Sequence, residues 1–197
     1  GVYDEMKVHH QPLRQEVFSP PAPVGFRLED NAPIVADLDL GQYFRPHMGD
    51  LLNVGTTEPA CDELHFIDDA DDWNDSVTVE FFERVMLRLA RRLPDFGVPL
   101  KLLGIGALYD VTDDWIPLYD KSSLNGFFMA CGTSGNQFKN APLVGKFIRA
   151  LVEAQEQGID HDLTPVEFIG ESTGNAINLS AFSRLRTQGV TAGNVMG

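Results

Sequence analysis

The sequence predicts a mixed α/β (α+β) fold. Three observations support this class: β-rich runs in the first half, an amphipathic helical stretch ending at residue 93, and a strand–loop–helix pattern over residues 127–157. With 197 residues, of which 43% are hydrophobic, the chain is long enough to bury a core as one large domain or about one and a half.

The charge balance of the chain is acidic, with 15 basic against 29 acidic residues and a net charge of −14. Nucleic acids and anionic membrane surfaces attract an excess of Lys and Arg, so this balance argues against both as partners. No apolar run approaches the about 18 residues that a membrane-spanning helix needs, and no secretory leader is visible. Two cysteines without a CxxC pattern fit a cytoplasmic location.

Strands are expected through most of the first half. Residues 43–45 and 51–54 flank the turn at 47–50 and predict a hairpin. The other predicted strands of this part are residues 6–18, 34–36 and 102–111.

One helix is predicted before the strand at residues 102–111. It is capped by Asp75 or Ser76 and ended by Pro94. Its apolar residues recur at helical spacing and define one buried face: Phe81, Phe82, Val85, Met86 and Leu89. The acidic stretch 68–75 before it lacks the central glycine and final Glu of a calcium loop, so a solvated loop is expected. No metal site is expected either, because Cys61 and His65 have no matching second pair of ligands.

The strand–loop–helix pattern is the most informative part of the sequence. Residues 127–131 predict a buried strand, and a helix is expected from about residue 142 to Gly158. A helix N-terminus offers unpaired N–H groups, and small residues let a backbone approach a ligand closely. The spacing also fits an ordinary strand–helix turn, and the loop matches neither nucleotide-binding glycine motif. Residues 171–197 are expected to form a polar tail, partly extended over the surface.

Two segments, residues 106–117 and 126–142, resemble the C-terminal signature of the D-amino-acid-oxidase-like FAD oxidoreductases. That group includes sarcosine oxidases, glycine oxidase and dimethylglycine dehydrogenase. The family pattern is approximately G-x-Y-x-x-T-x-D-x-x-P, then a strand, then G-x-S-G-H-G-F-K-x-A-P. Residues 43–55 similarly resemble the hairpin of the family's substrate domain, and residues 11–16 resemble the strand after its second FAD contact.

The resemblance implies a division of the chain. Residues 1–115 would be a substrate-binding domain with a large mixed β-sheet, residues 116–170 the C-terminal strand and helix of an FAD-binding domain, and residues 171–197 a tail. The family's GxGxxG fingerprint lies N-terminal to everything here. The resemblance therefore implies the C-terminal half of an enzyme, inactive without an N-terminal FAD-binding half supplied as a separate chain or a missing segment.

The resemblance also implies an activity and a set of site residues. The family oxidises a small amino acid or N-methylated amine acid by hydride transfer to flavin N5. Lys139 would anchor the substrate carboxylate, Tyr109 would add a hydroxyl donor, and Arg45 would be a second cation, although a surface ion pair suits Arg45 equally well. The implied FAD contacts are Gly132, Thr133, Ser134, Gly135, Asn136, Gln137, Phe138 and Lys139.

Two departures from the family pattern qualify this picture. Ala107 stands where monomeric sarcosine oxidase has the cysteine that links flavin covalently, so FAD would be held non-covalently here. Asn53 stands where that enzyme has a lysine linked to oxygen activation, which tilts the expectation toward a dehydrogenase. Two other interpretations stay open: a non-catalytic subunit or assembly module that needs a partner chain carrying the fingerprint, and a stand-alone fragment.

Overall fold

The computed structural model describes residues 5–191, which form two compact units. The first unit is residues 12–108, and the second unit contains residues 5–11 together with 109–191. These compact units differ from the functional domains predicted above. The predicted boundaries at residues 115 and 170 therefore stay a prediction.

A six-stranded sheet carries most of the first unit. Its strands are β1 (His10–Phe18), β2 (Val35–Asp37), β3 (Gln42–His47), β4 (Leu51–Thr56), β5 (His65–Phe66) and β6 (Gly104–Thr112). Their order is β2-β3-β4-β1-β5, with β6 also paired to β1. The predicted hairpin is confirmed, because β3 and β4 pair antiparallel from Gln42 opposite Thr56 to His47 opposite Leu51. The predicted α/β class is confirmed as well.

Helix α1 (Val79–Arg92) covers the sheet of the first unit with the apolar face that the sequence predicted. All five residues of that face are buried, and burial of each large side chain contributes about 1.5–3 kcal/mol. The predicted caps, Asp75 and Ser76, were wrong. Thr78 is the N-cap: its Oγ1 accepts the Phe81 N–H at 3.3 Å and donates to Glu16 of β1 at 2.8 Å. The acidic stretch 68–75 is mostly exposed, as a solvated loop should be.

The second unit pairs a small sheet with a helix. Its elements are β7 (Leu118–Lys121), β8 (Phe128–Cys131), α2 (Ala141–Glu156), β9 (Glu167–Ile169) and β10 (Ala176–Asn178). Strands β7 and β8 pair antiparallel, and the core comprises Tyr119, Phe147, Leu151 and Leu179. The glycine predicted to end the second helix does so: Gly158 has a φ of 77°, the left-handed conformation typical of a helix end.

One expectation for the second unit, that residues 127–131 form a buried strand, was wrong. Only Met129 of β8 is buried, while Phe127 and Ala130 are exposed, because the two-stranded sheet described here leaves more surface open than the interior of a larger sheet. In the predicted tail, residues 171–178 lie mostly at the surface, and the segment after them is partly buried. Leu179 is fully buried and Arg184 is 2% exposed.

Buried charges tie this C-terminal segment to the rest of the second unit. The Arg184 guanidinium donates to Asp120, which is fully buried, at 3.0 Å, and makes two bonds of 2.9 Å to Asp162. Burial would raise the pKa of Asp162, but hydrogen bonds from Arg184 and Lys121 lower it to about 2. Arg186 forms a second such link, with Asp114.

The helices described between residues 5 and 191 include none that is both long and apolar enough to span a membrane.

Candidate functional site

The structure brings the predicted Tyr109 and the predicted cofactor loop together within the second unit. Tyr109 lies near the end of β6, and the loop, residues 132–139, follows β8. A Cβ atom built on Gly135 would lie 2.5 Å from Cε2 of the Tyr109 ring. Only a glycine therefore allows the loop backbone to approach the ring this closely.

The backbone of the loop turns sharply through left-handed residues. Gly132, Ser134 and Gly135 have φ values of 65°, 48° and 76°. A short 3-10 turn, Gln137–Asn140, joins the loop to α2, so Lys139 precedes the α-helix. The N–H groups of Ser134 and Asn136 already donate within the protein, to the carbonyls of Asp110 and Thr133. The Gly132 N–H donates to the Asp110 side chain as well. The N–H groups that could face a ligand are therefore among the rest of the loop, including Gly135 and Phe138.

The loop has an anchored side and an open side. Gln137 Oε1 accepts hydrogen bonds from the Tyr119 hydroxyl at 3.1 Å and from the Asn140 amide at 2.6 Å. The neighbouring side chains point outward: Phe138 is 96% exposed and Lys139 is also exposed. The loop thus presents an aromatic ring and an ammonium group at its surface while its base is held by Gln137.

Two residues at this site escaped the sequence analysis, Asp110 and His10. Asp110 follows Tyr109 on β6, and its Oδ2 accepts the Gly132 N–H at 2.5 Å. His10 Nδ1 lies 2.5 Å from Asp110 Oδ1, and this hydrogen bond raises the pKa of His10. Burial would raise the pKa of Asp110, but the bonds from His10 and Gly132 hold it below its ordinary value. Asp110 is therefore an ionised acceptor at neutral pH.

The remaining predicted site residues lie in the first unit. Arg45 is half-buried on β3, directly opposite the half-buried Asn53 of β4, and its guanidinium donates to the Pro46 carbonyl at 3.3 Å. Ala107 is a half-buried residue of β6.

Neither cysteine chemistry nor metal chemistry has support at the loop. Burial raises the pKa of the Cys131 thiol to about 11, with a smaller contribution from Asp110, so the nucleophilic thiolate is scarce at neutral pH. The described residues, 5–191, bring no three or more His, Cys, Asp or Glu side chains together in a metal-binding group.

Comparison with known protein families assigns the chain to one of them. The family model described as FAD dependent oxidoreductase (DAO) matches residues 3–151, which is well over half of the chain and includes β6, β8 and the loop. The chain belongs to this family. The membership confirms the resemblance found in the two C-terminal sequence segments. A search of curated proteins found no match.

Solved structures of two oxidases and a dehydrogenase share the fold. Glycine oxidase from Geobacillus kaustophilus superimposes with a TM-score of 0.58 at 21% identity, covering 80% of this chain and 38% of the oxidase. L-proline dehydrogenase from P. horikoshii gives a TM-score of 0.56 at 21% identity, covering 79% and 38%. Fructosamine oxidase (Amadoriase II) from Aspergillus fumigatus gives 0.55 at 18% identity, covering 75% and 37%. The chain thus spans under two fifths of the length of each of these proteins.

Proposed function

We propose that this chain is the C-terminal part of an FAD-dependent oxidoreductase that oxidises a small amino acid or N-methylated amine acid. The observation that carries the proposal is the packing of Tyr109 against Gly135, which joins the two family motifs in one place. The covered share of the solved relatives, about 38%, supports a remainder that supplies the nucleotide-binding fingerprint. Activity would require that remainder.

The loop has the properties that one edge of a flavin needs. Gly135 is exposed, and the loop backbone at this point is left-handed, ahead of α2. A helix N-terminus carries partial positive charge that stabilises negative charge placed near it. When bound, FAD supplies the acceptor for a hydride from the substrate carbon. The loop N–H groups would hold the cofactor without a covalent link, since Ala107 offers no thiol.

Lys139 and Tyr109 would hold the substrate. The Lys139 ammonium provides a point charge for a carboxylate, and the Tyr109 hydroxyl provides a second donor. Two donors on one carboxylate fix the orientation of the substrate, and orientation is a large part of catalysis. Arg45 is the candidate for a second cation.

The β3–β4 hairpin of the first unit contains a residue that relates to the choice of electron acceptor. Asn53, opposite Arg45, stands where the resemblance places a lysine linked to oxygen activation. The proposed enzyme is a dehydrogenase or an oxidase, and Asn53 favours the dehydrogenase.

Lys139→Met in the complete flavin-loaded enzyme tests the proposal. Removing one partner of a desolvated charge pair typically costs about 2–5 kcal/mol. KM for the best amino-acid substrate should therefore rise at least about tenfold, equivalent to about 1.4 kcal/mol. Flavin content should not change, because the loop backbone remains. Lys146→Met is the matched control: this lysine is on α2, paired at the surface with Glu171, and its loss should leave KM unchanged.

Two results would contradict the proposal. Normal KM in the Lys139→Met enzyme would remove the lysine from the site and with it the case for a carboxylate-bearing substrate. A complete wild-type protein that holds no flavin and turns over no amino acid or amine would favour the non-catalytic subunit instead.

A further inference from the structure

Asp110 holds the cofactor loop at two points. Its side-chain Oδ2 accepts the Gly132 N–H at 2.5 Å, and its main-chain carbonyl accepts the Ser134 N–H at 2.8 Å. The two residues bound in this way, Gly132 and Ser134, are two positions apart in the loop. The side chain of Asp110 is in turn bound at its other oxygen, where His10 Nδ1 lies 2.5 Å from Oδ1.

The turn that Asp110 binds has a strained backbone. Ser134 is a non-glycine residue with a φ of 48°, and it is completely buried. A left-handed conformation costs such a residue about 1–2 kcal/mol, so the turn persists only where its surroundings enforce it. The turn's own side-chain bond, from Ser134 Oγ to the Gly132 carbonyl, is long at 3.4 Å. The bonds to Asp110 are the shorter constraints.

The titratable groups near Asp110 come from two strands. His10 faces it from β1, and the thiol of Cys131, which is uncharged at neutral pH, lies near it on β8. Asp113 acts on His10, whose pKa it helps to raise. An ionised carboxylate makes shorter and stronger hydrogen bonds than a neutral acceptor. His10 also donates to this carboxylate. The orientation of the Asp110 side chain, which accepts the Gly132 N–H, is therefore fixed by His10.

We propose that Asp110 and His10 are positioning residues for the cofactor loop: together they fix the backbone of residues 132–135, and so the direction of the loop N–H groups and the fit of Gly135 against Tyr109. They act through the loop and contact neither cofactor nor substrate. This inference rests on the proposed function, because the loop matters for the reaction only if it faces the flavin.

The test uses the complete flavin-loaded enzyme and four variants. Asp110→Ala removes the side-chain grip. His10→Ala removes the hydrogen bond that orients the Asp110 side chain. Asp110 can still accept both loop N–H groups in this variant, so it serves as the second test if Asp110→Ala fails to fold. His10→Asn restores a donor near the position of Nδ1. Lys146→Met is the control, since this lysine lies on α2 and pairs with Glu171 at the surface, outside the loop.

Three measurements are made on each variant: hydrogen–deuterium exchange of a peptide covering residues 131–137, the dissociation constant of FAD, and the visible spectrum of bound flavin. Loss of hydrogen bonds to a charged group predicts at least about a tenfold rise in exchange rate and in the FAD constant for Asp110→Ala, with a shifted spectrum. His10→Ala should change in the same direction by less. His10→Asn and Lys146→Met should match the wild type.

Each contrary outcome has a separate meaning. Unchanged loop exchange and unchanged FAD affinity in folded Asp110→Ala and His10→Ala enzymes would overturn the inference alone. Faster loop exchange with an unaltered spectrum and FAD constant would also overturn it, because the turn would then be held for its own stability. Absence of flavin from the wild-type enzyme would overturn the proposed function, and this inference with it.

Discussion

Replacement of Gly135 by alanine should damage the site in a way that can be worked out from the structure. The new Cβ would lie 2.5, 2.7 and 2.8 Å from Cε2, Cδ2 and Cζ of the Tyr109 ring. Carbon atoms in ordinary contact are about 3.5–4.0 Å apart, so the ring or the loop must move by about 1 Å. The residue also has a φ of 76°, where alanine is strained.

The two effects add in the folded state. The left-handed backbone costs about 1–2 kcal/mol for a non-glycine residue. Forcing an extra methyl group into a filled space costs typically about 1–3 kcal/mol. Because Gly135 lies at the surface, we expect the lower part of the sum, about 2 kcal/mol, as the loss in the free energy of unfolding. A displacement of about 1 Å in a positioning group can also cost about a hundredfold in rate.

Urea unfolding and kcat/KM of the flavin-loaded enzyme would measure both effects. Gly145→Ala is the matched control: Gly145 lies in α2, and an added Cβ there meets no atom within 4 Å. Alanine in a helix should stabilise by roughly 0.5–1 kcal/mol relative to glycine, with unchanged kinetics. Wild-type stability and wild-type kcat/KM in the Gly135→Ala enzyme would refute the close packing of loop and ring.

Three further predictions concern the buried charges and the link to the cofactor. Arg184→Met should lower the free energy of unfolding by about 3–5 kcal/mol, since it strands the fully buried Asp120 without its cation. In the wild type, the pKa of Asp162 is about 2, below its unfolded value of about 3.9, so its contribution should be complete above about pH 4 and be lost as the pH falls toward 2. Urea titrations at several pH values check both statements, and an Arg184→Met enzyme with the same acid dependence as the wild type would contradict the pairing. Acid precipitation of the complete enzyme should leave the flavin in the supernatant, because Ala107 has no thiol; flavin mapped to a pellet peptide containing Ala107 would contradict it.

The parts of the fold that the sequence predicted have local signatures. The β3–β4 hairpin follows from alternating residues around a glycine-containing turn, and the α1 face follows from helical spacing. The cap of α1 was missed because a tertiary contact decides it: Glu16, 62 residues away, binds Thr78. Local preference alone does not distinguish Thr78 from Asp75 or Ser76.

Within the proposed site, the sequence pointed only to residues that the family motifs contain. Tyr109 and the loop were proposed from residue patterns, whereas Asp110 and His10 were not, because a histidine and an aspartate 100 residues apart carry no pattern that joins them. The same reason hid Arg184, whose partner Asp120 is 64 residues away and whose surroundings read as a polar tail. Ion pairs formed by chain topology are visible only once the strands are placed.

A crystal structure of the complete flavin-loaded enzyme with a bound carboxylate-bearing substrate analogue would test the central claim most directly. The account predicts a flavin ring edge within hydrogen-bond distance, about 3 Å, of N–H groups of the loop 132–139. It also predicts Lys139 Nζ within about 4 Å of the carboxylate of the analogue. A flavin that contacts no part of this loop, or a carboxylate held by other cations while Lys139 stays in solvent, would contradict the account.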